Sequence, residues 1–152
     1  MNARTCHRGA DPQNLARILL VSPFEEDHAA LRAILHRSEW SVSGAKGILE
    51  AMTILAGQPP IPVVICERDL PMGDWTALLE SMQLLSCPPH LIVSSRQADN
   101  RLWAEVLNLG GYDVLATPFD RAEVLRTVQL ARLNWVRKWE NVAILSRSVR
   151  VL

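Results

Sequence analysis

The sequence predicts an α/β protein made of successive strand–helix units, with a parallel sheet covered by helices on both faces. Three observations predict it. Short apolar runs recur at Arg17–Val21, Val63–Cys66, His90–Val93 and Asp113–Ala116, as strands buried on both faces require. Between them lie segments whose apolar residues recur at helical spacing. The chain has 152 residues, 49% of them hydrophobic, which suits one domain with a sizeable core.

Residues 1–16 are polar and aperiodic and read as a leader. Arg17–Val21 is the first buried strand. Ser22-Pro23-Phe24-Glu25 then opens a helix to about Ser38, with Ala30, Leu31, Ile34 and Leu35 on its apolar face. Ser22 as N-cap, Pro23 at the first helical position and Glu25 two further on form a capping box. Trp40–Ser43 alternates and reads as a second strand. Gly44–Ala56 is helical, carried by Ile48, Met52 and Leu55, and Gln58–Pro62 is a stiff connection. Val63–Cys66 is the third strand, and Glu67 ends it with an acid. A helix starts near Asp74 on Leu78, Leu79, Met82 and Leu85 and stops at Cys87-Pro88-Pro89. His90–Val93 runs into Ser94-Ser95. The next helix covers about Ala98 to Leu109 and is broken by Gly110-Gly111. Asp113–Ala116 is the last strand. Asp120 and Glu123 have capping-box spacing and open a fifth helix that reaches about Glu140. Residues 141–152 form a tail. Val142–Leu152 partly alternates, so a β-edge, a dimer arm and the stub of a longer product all fit it.

Right-handed crossovers and the order 2-1-3-4-5 give the flavodoxin-like (βα)5 three-layer sandwich. Chemistry then belongs after Val21, at Glu67, after Val93 and before Pro118, where the strands end beside the switch point. Sixteen basic and sixteen acidic residues cancel, so direct nucleic-acid binding is not expected. No apolar run reaches membrane-spanning length, and the polar start lacks a signal-peptide core. Cys6, Cys66 and Cys87 form no CxxC pair and read as reduced thiols of a cytoplasmic protein. Phosphate binding after the first strand is disfavoured, because Pro23 removes an N–H and Glu25, Glu26 and Asp27 repel anions.

Several segments together carry a family resemblance. They are Glu67-Arg-Asp-Leu-Pro71 with its Gly73-Asp74 turn, the Ser94-Ser95 pair, Leu109-Gly110-Gly111, and Thr117-Pro118-Phe119. From Arg17 to Arg137 the chain resembles the response-regulator receiver domain, the CheY-like family of two-component signalling. The resemblance implies a phosphoacceptor at the Glu67 position, where the family has Asp. It implies a magnesium-holding acidic pair at Ser22 and Pro23, a switch hydroxyl at Ser94, a lysine at Thr117 and an aromatic switch at Val114. Among these only the hydroxyl is kept, so the phosphorylation site is degenerate. The resemblance also implies a cis bond at Thr117-Pro118.

Glu67 has three readings: an acceptor, a mimic of the phosphorylated state, or an acid ion-paired at a strand end. The extra methylene displaces its carboxylate from the in-line geometry of phosphoryl transfer. As a mimic it carries one charge where a phosphoryl group carries nearly two. Arg96 is the expected ion-pair partner, since Arg68 diverges from Glu67 along the strand. Glu25 or Glu26 reaching back to a metal competes with plain helix capping. The expectation is a non-enzymatic, phosphorylation-independent module with no cofactor and no magnesium. Its partners are proteins, with a homodimer through the fourth helix, fifth strand and fifth helix as the expected form. Arg101, Trp103, Arg126 and Arg132 are the candidate interface residues. A phosphorelay receiver with an atypical site around Glu67 is the alternative.

Overall fold

The structure is a computed structural model and describes residues 15–57 and 59–151. Cys6, Gln58 and nearly all of the expected leader lie outside the described residues. The elements are β1 (Arg17–Val21), α1 (Glu25–Leu35), β2 (Ser41–Ala45), α2 (Ile48–Leu55), β3 (Val63–Glu67), β4 (Asp69–Leu70), β5 (Gly73–Asp74), α3 (Trp75–Met82), β6 (His90–Ser95), α4 (Asn100–Leu109), β7 (Asp113–Ala116) and α5 (Arg121–Val151). The main sheet has the order β2-β1-β3-β6-β7 and every pair in it is parallel. This is the flavodoxin-like order expected from the sequence.

Side chains alternate along each strand, so one strand feeds two cores. Leu19, Val21, Val64, Cys66, Leu91 and Val93 face one side, against Ala51 of α2, Leu78 and Met82 of α3, and Leu102 and Val106 of α4. Ile18, Leu20, Val63, Ile65, Ile92 and Leu115 face the other, against Leu31 and Leu35 of α1 and Val124, Val128 and Ala131 of α5. Each fully buried aliphatic side chain contributes ~1.5–3 kcal/mol relative to an exposed one. A third, small cluster of Leu15, Trp135 and Trp139 closes the sheet end where the strands begin.

Four expectations change. Helix α1 starts at Glu25, with Phe24 as its N-cap and no side-chain cap, so Ser22, Pro23 and Glu25 do not form a capping box. Helix α2 starts at Ile48, because the second strand runs on to Ala45. The loop after Glu67 contains a small antiparallel hairpin, β4 on β5. Helix α5 continues without a break to Val151, so the tail from residue 141 is helical and not a β-edge. Other details hold. Asp74 caps α3, and the Glu123 N–H donates to Asp120 Oδ2 at 3.0 Å at the start of α5. The Thr117-Pro118 bond is cis. Cys66 is a buried free thiol. A fifth expectation changes at Cys87, which is disulfide-bonded rather than reduced.

Candidate functional site

The row Val63–Ile65 faces α1 and α5, so alternation carries Glu67 to the same face at the sheet's C-terminal edge. Ser94 stands opposite Glu67 in the β3–β6 register. The ladder continues past the strand ends, with Ser22 N–H donating to the Ala45 carbonyl at 3.0 Å and Thr117 N–H to that of Ser95 at 3.0 Å. Ser22 and Thr117 therefore join Glu67 and Ser94 at one edge, and all four are buried.

The edge is polar and closed. Ser22 Oγ donates to Asp27 Oδ2 at 2.8 Å and accepts the Phe24 N–H at 3.1 Å. His28 Nε2 donates to the Ser22 carbonyl at 2.8 Å, and a Cβ added at Gly44 would sit 2.8 Å from His28 Nδ1. Asp27 and His28 are both buried, and they pin the β1–α1 turn over the site. Sequence reasoning missed them. Placing the helix start at Ser22–Pro23 put Glu25 in the capping role, whereas the later start turns the third helical residue, Asp27, inward. The acid that reaches back is thus Asp27, not Glu25 or Glu26. Ser94 Oγ is fully buried and has no hydrogen-bond partner among the described residues.

Glu67 is held above the ordinary carboxylate range. Desolvation is the main cause, followed by the negative charges of Asp27 and Asp69; the Asp69 backbone N–H and the Arg68 guanidinium pull the other way. The expected Arg96–Glu67 pair does not form. Arg96 pairs with Glu26 and lies over the Phe24 ring, 5.1 Å from its centroid. Arg68 pairs with Asp69 at 3.0 Å. No group of three or more His, Cys, Asp or Glu side chains among the described residues is arranged to hold a metal ion.

A second feature lies between α4 and α5 over β7. A groove of about 380 Å3 is lined by Trp103, Val114, Ala116, Asp99 and Glu123 among others. Trp103 is 50% exposed. Arg126 is exposed, and so is Arg101, but Arg101 is two residues from Trp103 and so falls on another flank of α4. Arg132 does not belong to this face. It pairs with Glu39 at 2.9 Å and covers Trp40 at 4.6 Å, on the α1 side of α5.

No protein-family model matches the chain, and no curated protein matches it. Solved structures do match. The signal receiver domain of an HD-domain-containing protein from Pseudomonas fluorescens Pf-5 has 26% identity and a TM-score of 0.73, over 82% of this chain and 91% of that one. A CheY-like receiver domain protein from Methanospirillum hungatei JF-1 has 19% identity and a TM-score of 0.70, over 82% and 98%. The beryllofluoride-activated NtrC4 receiver domain dimer has 23% identity and a TM-score of 0.72, over 80% and 99%. Strand order agrees with this likeness, and the chain has the fold of CheY-like response-regulator receiver domains.

Proposed function

We propose that this receiver works without phosphorylation and that its output is a protein contact. One observation carries the reading: the acid at the acceptor position is buried at 6% exposure, among carboxylates and hydroxyls, while the nearby arginines are engaged elsewhere. Phosphoryl transfer needs positive charge at the acceptor to stabilise the transition state. The donor set also fits magnesium poorly. That ion wants several oxygen ligands in near-octahedral order, whereas among the described residues Asp27 and Glu67 are the only buried carboxylates and Asp27 is already bonded to Ser22. Thr117 supplies no cation where the resemblance implies one.

A domain without that chemistry still presents a surface. The face of α4, β7 and α5 exposes Trp103, Leu107, Leu130 and Leu133, and an aromatic anchor amid aliphatic side chains is the usual make-up of an interface centre. The NtrC4 receiver is a dimer, so pairing of such domains has precedent. The competing reading, a working acceptor at Glu67, draws on Asp27 as a stand-in for the missing acidic pair. Acetyl phosphate with Mg2+ separates the two. The expected outcome is no added phosphoryl mass on the intact protein. A hydroxylamine-labile mass gain that vanishes in Glu67→Gln would overturn the proposal.

A further inference from the structure

The groove over β7 has the chemistry of a small-molecule site. β7 is the edge strand of the main sheet, and alternation turns Val114 and Ala116 to the same face, the one on which Val114 packs with α4. Neither side chain fills the space above it: Val114 is half-buried and Ala116 is exposed. They form the aliphatic floor of a groove of about 380 Å3. Trp103 of α4 stands beside them, half exposed. Asp99, the N-cap of α4, and Glu123, in the first turn of α5, bring two carboxylates to the same groove. Its lining among the described residues holds no cationic side chain.

These groups are not spent inside the chain. Asp99 gives one oxygen to the helix cap, where Oδ1 accepts the Leu102 N–H at 2.8 Å. Arg68 feels the Asp99 charge but is bonded to Asp69 at 3.0 Å. Neither Asp99 nor Glu123 is in an ion pair among the described residues. Other ring faces are taken by cations: Arg96 lies over Phe24, Arg132 over Trp40 and Lys138 over Trp139. No cation lies over Trp103 among the described residues. An aliphatic floor accepts a methylene stem, an indole face attracts a cation, and two carboxylates call for two positive charges. We propose that the groove binds a small linear organic dication, a diamine or aminoguanidine. Its stem lies on Val114 and Ala116, one head stacks on Trp103, and the two charges pair with Asp99 and Glu123. The site shares Trp103 with the face proposed above for protein contact but does not depend on that reading.

Agmatine is the probe, titrated into the full chain by calorimetry at low salt. The expected result is saturable one-to-one binding with a Kd at or below about 1 mM. Bound agmatine should also shield Trp103 from acrylamide quenching, since the other four tryptophans are already buried. Butylamine, which carries a single charge, should bind about threefold more weakly or worse. Glu123→Gln and Asp99→Asn should each weaken agmatine binding by about threefold or more, and Trp103→Ala by about tenfold. Asn caps a helix as well as Asp does, and an unchanged urea midpoint shows that each variant is folded. Three outcomes overturn the proposal: no saturable heat, binding that both charge neutralisations leave unchanged, or butylamine held as tightly as agmatine. Acetyl phosphate labelling tests the Glu67 reading separately, and its result moves none of these.

Discussion

Glu67 ends β3 with a carboxylate that the fold keeps from water, and the consequence can be measured as stability against pH. Its folded pKa is raised, chiefly by burial and then by Asp27 and Asp69. Below the unfolded carboxylate range both states are protonated and the burial is cheap. As pH rises through that range toward the folded value, the unfolded state ionises first and binds fewer protons than the folded one. Stability therefore falls across that window. Glu67→Gln removes the ionisation and keeps the shape. It should raise the midpoint of thermal unfolding at neutral pH, and the difference from wild type should vanish at acid pH; a gain of 1 kcal/mol would appear as about 2–4 °C in a chain of this size. A Gln variant less stable than wild type at neutral pH would show that the ionised carboxylate is stabilised by a partner. That Ser22, Glu67 and Thr117 fall at strand ends was legible in the sequence, because burial on both faces marks where each strand stops. The pairings were not. Which of Glu25, Glu26 and Asp27 turns inward depends on the residue at which α1 begins, and the Ser-Pro-Phe-Glu run gives a plausible but wrong start.

The elements divide along the same line. Strands were legible because burial on both faces forces near-continuous apolar runs, as at Val63–Cys66. The hairpin of β4 and β5 was not, since two-residue strands leave no periodicity. The end of α4 was legible in Gly110-Gly111, and the two glycines have different physical reasons. Gly110 takes the left-handed conformation that caps the helix, at φ 104°. Gly111 is required by contact: an added Cβ would lie 2.4 Å from Val106 Cγ1 and 3.0 Å from the Val106 carbonyl oxygen. Gly111→Ala should force backbone movement between α4 and β7 and cost ~1–3 kcal/mol in urea unfolding. Gly47→Ala is the control, because nothing lies within 4 Å of its added Cβ and the backbone there is extended. It should change stability by less than about 0.5 kcal/mol. Equal losses in the two would mean that loss of glycine flexibility, rather than the Val106 contact, sets the cost.

Across the whole molecule, α5 links two regions with separate tasks. Its 31 residues span roughly 46 Å at 1.5 Å per residue. Near its start it lines the groove with Glu123; further on it buries Trp135 and Trp139 against Leu15 at the opposite end of the sheet. The signal for this length was present in the sequence, since no Gly or Pro occurs after Pro118, but the partial alternation from Val142 masked it. Trp135 is fully buried, and its Nε1–H donates to the Pro88 carbonyl at 3.0 Å. Trp135→Phe should remove that bond and part of the packing, costing ~1–3 kcal/mol. Trp135 sits at the end of the sheet where the strands begin and Glu67 at the end where they finish, which is beyond the range at which substitutions usually couple. The loss in Trp135→Phe and the gain in Glu67→Gln should therefore add in the double variant, measured by urea unfolding at neutral pH. A double variant that departs from the sum by more than about 0.5 kcal/mol would show that the two ends of the sheet act as one.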